Sequence, residues 1–360
     1  MTSSQTFVIA EAGVNHNGSL EMAKQLVDVA IAAGADAVKF QTFKAESIVS
    51  QFAEKAEYQK ETTGSKGSQF EMIKELELDD HSQKKIFNYC NEKGIQFLAT
   101  PYDLASVDFL TSELELPTVK IASAEITNGS LLLKAAQSQK SIILPTGMCE
   151  LDEIETALGV LAFGYTKPSG IPSIENFKKA YLSSEGKYVL AKKVTLLQCT
   201  TEYPAPYDEI NLYAMETLRQ SFGLPVGYSD HTEGYAIPLA ATALGATIIE
   251  KHYTLDRNLP GPDHRASLEP DELSEMVCGI RMIEKAMGRH EKTCSPCEQK
   301  NKTAMRKSLV ANCAIRKGEL LTEKNLTIKR PGDGVSPMQY WGFLGEPADK
   351  DYELDEKINS

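Results

Sequence analysis

His231 and His252 are placed by their neighbours rather than by a local motif. His231 follows the apolar run Leu224–Tyr228 within GYSDHT, and His252 follows Ala246–Glu250 within EKHYTLD. Both runs read as short buried strands, with the helix-like Tyr235–Leu244 between them. Neighbouring parallel strands lie about 4.8 Å apart, so imidazoles at adjacent strand ends can converge on one divalent ion. A pair of imidazoles leaves most coordination positions to water and substrate oxygens, the pattern of a catalytic rather than a structural metal. The plainer reading makes each histidine a separately satisfied polar residue at a strand end. A second signal comes from Lys39 in AVKF and Lys120 in TVKIA. A lysine inside an apolar strand must enter the interior or snorkel to its edge. Two of them on different strands form a cationic pocket for a phosphate or carboxylate, with the hydroxyls of Thr100, Ser123 and Ser229 completing the hydrogen bonds. The alternative pairs each lysine with a carboxylate, such as Glu11 or Glu125, as a structural ion pair. The two readings are compatible in the absence of ligand.

The elements that must carry these residues alternate regularly. Strands are expected at Phe7–Glu11, Asp36–Phe40, Ile95–Ala99, Thr118–Ala122, Ser141–Pro145, Val194–Gln198, Pro225–Tyr228 and Ala246–Glu250. Helical segments separate them, such as Leu20–Ala33, which Gly34 should stop. Eight β-α units in about 250 residues match a (β/α)8 barrel, an α/β fold whose active site lies at the C-terminal ends of its strands. Those ends hold Glu11, Lys39, Gln41, Thr100, Lys120, Ser123, Glu125, Thr146, Thr201, Tyr203, Ser229, His231, Glu250 and His252. A doubly wound open sheet is the competing fold, but the Gly-rich fingerprint is absent after the first strand. Lys44–Asp80 and the Ser/Gly/Pro-containing Gly164–Lys193 exceed a minimal barrel and are expected as loops or lids. After Gly288 the pattern changes. Arg289–Lys302 reads as a charged linker, and Ser308–Ser360 as short strands and turns.

Composition narrows the classes. An apolar fraction of 42% and a charged fraction of 24% suit a globular enzyme. No run approaches the roughly 20 apolar residues of a membrane span, and the start of the chain lacks the pattern of a secretory leader. Seven scattered cysteines argue for reduced thiols and a cytoplasmic setting. Cys294 and Cys297 are spaced like half a zinc site, with no second half. A net charge of −12 disfavours nucleic acid and requires local cations for any anionic substrate.

Ten strings, in order, carry a resemblance over nearly the whole chain. They are VIAEAGVNHNG (8–18), AVKFQTFKA (37–45), ATPYD (99–103), KIASAEITN (120–128), TGM (146–148), CTTEYPAPYDEINL (199–212), GYSDHT (227–232), EKHYTLD (250–256), GPDHRASLEPDEL (261–273) and KRPGDG (329–334). Together they resemble the bacterial sialic acid synthase family, the phosphoenolpyruvate-dependent nonulosonic acid synthases. The resemblance implies a barrel over 1–288, a linker over 289–302, and a small β-rich antifreeze-like (SAF, β-clip) domain over 303–360, swapped across a homodimer. It implies phosphoenolpyruvate contacts at Lys39, Thr100, Lys120, Ser123, Thr201 and Ser229. Sugar contacts are implied at Glu11, Gln41, Tyr203, Asp263 and Arg330, with Arg330 supplied by the partner. Glu11, Glu125 and Lys120 are the candidate catalytic groups. His231 and His252 would hold Mn²⁺, with Mg²⁺ or Co²⁺ as alternatives. The sugar is expected to be an open-chain N-acetylated mannose type, that of an N,N′-diacetyllegionaminate synthase, with N-acetylmannosamine and N-acetylneuraminate synthesis as the alternative. A Schiff-base aldolase using Lys120 and a noncatalytic sugar-binding protein are the rivals from other classes.

Overall fold

A computed structural model describes residues 5–55, 59–60, 63, 67–166 and 171–359, and divides the chain into two units, Met1–Gly288 and Arg289–Ser360. The first holds eight strands: β1 (Phe7–Gly13), β2 (Ala37–Thr42), β3 (Gln96–Pro101), β4 (Thr118–Lys120), β5 (Ser141–Pro145), β6 (Val194–Cys199), β7 (Val226–Asp230) and β8 (Ile248–His252). Hydrogen-bonded neighbours run in the order β3-β2-β1-β8-β7-β6-β5-β4, every pair parallel. The β1–β8 ladder closes the ring, and β3 packs beside β4 without a ladder between them. This is the (β/α)8 barrel that the alternation predicts; an open sheet would not pair its first strand with its last.

Side-chain alternation explains why strands with apolar cores carry a polar end. Ile9, Ala37, Leu98, Ile143, Leu197 and Ile248 point inward as one buried apolar layer. Two residues further along, the same inward face carries Glu11, Lys39, Thr100 and Glu250. Register keeps these groups level, since Glu11 pairs with Lys39 on one side and with His252 on the other. The outward residues, such as Val8, Val38, Phe97 and Val226, pack under the helices. Helix Leu20–Ala33 is capped by Ser19, which accepts from the Met22 amide, and ends at Gly34 with φ 78°. There a left-handed residue closes the last turn at no Cβ cost.

Two expectations about the connections divide. The excursion after β2 stands at the C-terminal face, where Val14, Phe43, Met72 and Leu76 form a small apolar cluster. Parts of it (56–58, 61–62 and 64–66) lie outside the described residues. The described part of Gly164–Lys193, from which 167–170 are excluded, is not a lid. Its first residues finish helix Leu151–Thr166, and Ile174–Leu182 and Ser184–Lys193 are two further helices. The serines that suggest a loop are N-caps: Ser173 accepts from the Asn176 amide and Ser183 from the Gly186 amide. Phe177 packs edge-to-face on Phe163, with ring centroids 5.3 Å apart, which seats the insertion on the helical layer outside the strands.

The second unit contains helix Pro296–Met305 and an antiparallel ladder of β9 (Ser308–Ala311) with β10 (Leu326–Lys329). Isolated bridges at Ile315–Tyr352 and Leu320–Pro347 join the turns around Leu309, Leu326 and Tyr352. Part of the expected linker is therefore helix, started by a capping box between Ser295 and Glu298. Cys294 and Cys297 are exposed thiols at that helix start, and the described residues contain no set of three metal-ligating side chains.

Candidate active site

Inside the barrel mouth the polar layer forms a chain of alternating charge. Lys39 Nζ lies 2.7 Å from Glu11 Oε2 and 3.6 Å from Glu250 Oε2, and donates to Thr100 Oγ1 at 3.2 Å. Lys120 Nζ donates to Glu250 Oε1 at 2.6 Å, and Ser229 Oγ donates to the same oxygen at 2.8 Å. None of the four charged residues is more than 5% exposed. Two cations and two anions in that burial must balance, because an unmatched charge there would cost several kcal/mol.

Their protonation follows from burial set against these neighbours. Burial pushes Glu11 up to about 7, opposed by Lys39 and reinforced by the negative charge of Glu250. Burial acts on Glu250 too, but Lys120 and Lys39 outweigh it and hold that carboxyl well below the usual range. Lys39 stays a firm cation, since Glu11 and Glu250 overcome its desolvation. Burial lowers the Lys120 ammonium, only partly offset by Glu250.

Above this layer the two imidazoles meet. Their ring centroids are 5.7 Å apart, and the Tyr203 ring lies 4.2 Å from His231 and 5.7 Å from His252. His231 Nδ1 is 2.6 Å from the Thr200 carbonyl oxygen. A carbonyl only accepts, so Nδ1 carries the hydrogen and Nε2 keeps its lone pair. Burial lowers His231 to about 4, and burial with the neighbouring His231 and Lys39 takes His252 well below its ordinary value. Both rings are neutral, the form that ligates metal. His252 Nδ1 is buried with no hydrogen-bond partner among the described residues, and Asp263 Oδ2 stands 3.9 Å away. An orphaned ring nitrogen beside a second neutral imidazole fits a divalent ion. With no third ligating side chain grouped with them among the described residues, water or substrate would supply the remaining positions.

A cavity of about 190 Å³ joins the two layers. Glu11, Lys39, Lys120, His231 and His252 line it, as do Gln41, Thr100, Ser123, Thr201, Tyr203 and Ser229. Gly147 lets its hydroxyls approach: a Cβ there would lie 2.2 Å from Thr201 Oγ1 and 2.9 Å from Ser123 Oγ. Thr201 Oγ1 is itself buried without a partner among the described residues. Asp263 lines an adjoining compartment, and burial raises it to about 6 against the pull of Lys39.

Glu125 is not brought into this cavity. Glu125 sits half-buried on the turn Ser123–Glu125, accepts from Asn128 Nδ2 at 2.7 Å, and is not among the lining residues. Arg330 belongs to the second unit, where its Nε donates to the Met305 carbonyl at 3.1 Å.

The profile of the NeuB family matches residues 26–292. The chain belongs to the NeuB family. It is 51% identical to the N,N′-diacetyllegionaminic acid synthase of Campylobacter jejuni, over 98% of this chain and 99% of that one. It is 42% identical to the protein of the same name from Legionella pneumophila, over 94% and 89% of the two chains. Among solved structures, the N-acetylneuraminic acid synthetase of Leptospira borgpetersenii, crystallised with citrate, superposes with a TM-score of 0.66 at 33% identity. That match covers 83% of this chain and 90% of the other.

For this NeuB-family chain, sequence reasoning gave Glu250 no role beyond a strand end. The signal was present in Glu250-Lys251-His252: in a strand, residues two apart share a face, so His252 could not point inward unless Glu250 did too. Gly147 carried no such signal, because the hydroxyls it admits come from other loops.

Proposed function

We propose that this chain condenses phosphoenolpyruvate with an open-chain N-acetylated mannose-type sugar and releases phosphate, and that it is an N,N′-diacetyllegionaminate synthase. The observation that carries this reading is the layer of two buried ammoniums, held by two carboxylates, directly beneath a pair of neutral imidazoles. Carboxylates that hold a lysine in the free protein can yield it to the carboxylate and phosphate of an anionic substrate, at the cost of one charge-assisted bond and the gain of another. The likeness to two N,N′-diacetyllegionaminic acid synthases supports the choice of sugar.

In this reading Lys39 and Lys120 hold phosphoenolpyruvate, with Thr100, Ser123, Thr201 and Ser229 hydroxyls satisfying its remaining oxygens. Gln41, Tyr203 and Asp263 orient the sugar with its aldehyde toward carbon 3 of the enol. A divalent ion on His231 and His252, Mn²⁺ with Mg²⁺ or Co²⁺ as alternatives, supplies Lewis acidity toward the aldehyde oxygen when bound. The enol π pair forms the new carbon–carbon bond, and positive charge develops at carbon 2. Water adds there and gives up its proton to a carboxylate. Glu11, inside the cavity and with raised proton affinity, suits that task better than Glu125. The proton taken by the carboxylate passes to the former aldehyde oxygen, which becomes a hydroxyl. The carbon–oxygen bond then breaks, and phosphate departs with the bridging oxygen and its electron pair. The carbon 2 hydroxyl gives its proton to the phosphate as it becomes the ketone. Lys39 and Lys120 stabilise the departing charge. Arg330 is assigned to the sugar site of a partner chain in a swapped homodimer, which closes that site to water.

The test is phosphate release from phosphoenolpyruvate with Mn²⁺ and either 2,4-diacetamido-2,4,6-trideoxymannose or N-acetylmannosamine. Release with a sugar is expected, and release with neither would end the proposal. In this reading Lys120, tied to Glu250, serves as a cation and not as a Schiff-base nucleophile. Borohydride should therefore trap no adduct; a stable one at Lys120 would turn the assignment to an aldolase.

A further inference from the structure

The charged cavity opens into a second compartment of about 280 Å³ with different chemistry, and Gln41, Tyr102, Ala124, Tyr203 and His252 line both. Beyond those shared residues the far wall combines an apolar stretch with two carboxamides and a carboxylate. Phe43, Ile48, Met72, Ile73 and Leu76 form the apolar stretch, contributed by the residue that follows β2, the short helix Ala45–Ile48, and the helix Gln69–Glu75 with its C-cap. Gln59 and Gln69, whose amides are joined at 3.1 Å, line it as well. Asp263 is the one carboxylic acid and His252 the one histidine among the described lining residues, and none is a lysine or arginine. Two lysines of the same segment are committed elsewhere: Lys44 pairs with Asp80 at 2.9 Å, and Lys55 donates to Thr63 at 3.1 Å.

We infer that this compartment selects the sugar, and that Ile48, Met72 and Ile73 determine the preference for a substrate whose far end carries methyl groups. The inference rests on the synthase reading, which fixes the direction of the sugar. Its aldehyde must lie where the two compartments join, beside His252 and Tyr203, so carbons 4 to 6 extend away from the charged layer. A 6-deoxy carbon and the methyl of a second acetamido group bury apolar surface against Ile48, Met72 and Ile73, whereas a 6-hydroxyl set against those side chains would lose its hydration to apolar groups. An acetamido group also offers one donor and one acceptor, which side-chain carboxamides such as those of Gln59 and Gln69 complement. Within the described lining a 6-phosphate would meet the Asp263 carboxylate and no lysine or arginine.

The test compares kcat/KM for 2,4-diacetamido-2,4,6-trideoxymannose, N-acetylmannosamine and N-acetylmannosamine 6-phosphate, with Mn²⁺ and phosphoenolpyruvate. One methyl in an apolar pocket discriminates by about 10–200-fold, so the diacetamido sugar should lead by at least about tenfold and the phosphorylated sugar should come last. Ile48→Gln and Ile73→Gln stand on separate helices, and each should cut the diacetamido preference by about tenfold, through KM more than kcat. An unchanged preference in both variants would overturn the inference and leave the synthase reading intact. Equal or better use of N-acetylmannosamine by the wild-type protein would overturn the inference and the choice of sugar, and leave only the condensation with phosphoenolpyruvate standing. Phosphate release with none of the three sugars would overturn both.

Discussion

Glu250 binds more of the active-site charge than any residue singled out by a motif, since both lysines and Ser229 converge on it. Glu250→Gln leaves two buried ammoniums facing Glu11 alone. Removing one partner from such a network costs about 3–5 kcal/mol, so the denaturant midpoint should fall markedly along with activity. A midpoint within about 0.5 kcal/mol of wild type would show that Lys39 and Lys120 do not depend on it. A second residue-scale effect lies beside the site. His16 is buried and its Nδ1 accepts from the Gly18 amide, a role open only to the neutral ring. Burial, with the nearby His264, lowers His16 to about 4. Its stabilising contribution is therefore full above the ordinary value near 6.5 and is lost as pH falls toward 4, because the unfolded chain takes up a proton that the folded one refuses. Across that window each pH unit removes about 1.4 kcal/mol. Urea midpoints should drop between pH 7 and pH 4.5 more steeply in the wild type than in His16→Gln. Parallel curves would remove His16 from the acid response.

Among the elements, β7 and β8 are joined by a feature that never enters the cavity. Asp230 and Lys251 stand opposite each other in register, are fully buried, and meet at 2.6 Å on the outward face. Tyr228 and Thr232 hydroxyls donate to the same carboxylate, and Lys251 Nζ also bonds the Thr232 carbonyl. Each member sits one residue before an imidazole, so the pair fixes the two strand ends from behind while His231 and His252 face inward. Asp230→Asn should cost about 3–5 kcal/mol in chemical denaturation, since it strands a buried ammonium. Adding Lys251→Met should recover part of that loss. A double variant less stable than the single one would mean that the pair contributes more than charge balance. The same scale shows where pattern reading fails. Serines in a Gly/Pro-containing stretch look like a loop by composition, yet Ser173 and Ser183 each start a helix. Composition does not distinguish a cap from a turn, because both use the same hydroxyl-to-amide bond.

For the whole molecule, the question is how Met1–Gly288 and Arg289–Ser360 cooperate. If Arg330 serves a partner's barrel, Arg330→Ala should chiefly raise the KM for sugar. Mixing it with His252→Ala should then restore some phosphate release, because a mixed dimer contains one site with both residues intact. Inactive mixtures under conditions that exchange subunits would argue for sites built within single chains.

The sequence by itself determined the barrel, because parallel strands buried on both faces must be short apolar runs and the helices between them must show one apolar stripe. It also determined that Lys39, Lys120, His231 and His252 belong at the strand ends, since a charge within such a run has nowhere else to go. Only the tertiary structure decided which groups meet: that Lys120 pairs with Glu250 and not Glu125, that Gly147 makes room for Thr201 and Ser123, and that an apolar compartment adjoins the charged one. Those contacts join residues far apart in the chain, and their distances depend on register and closure around the ring, quantities that no local spacing encodes.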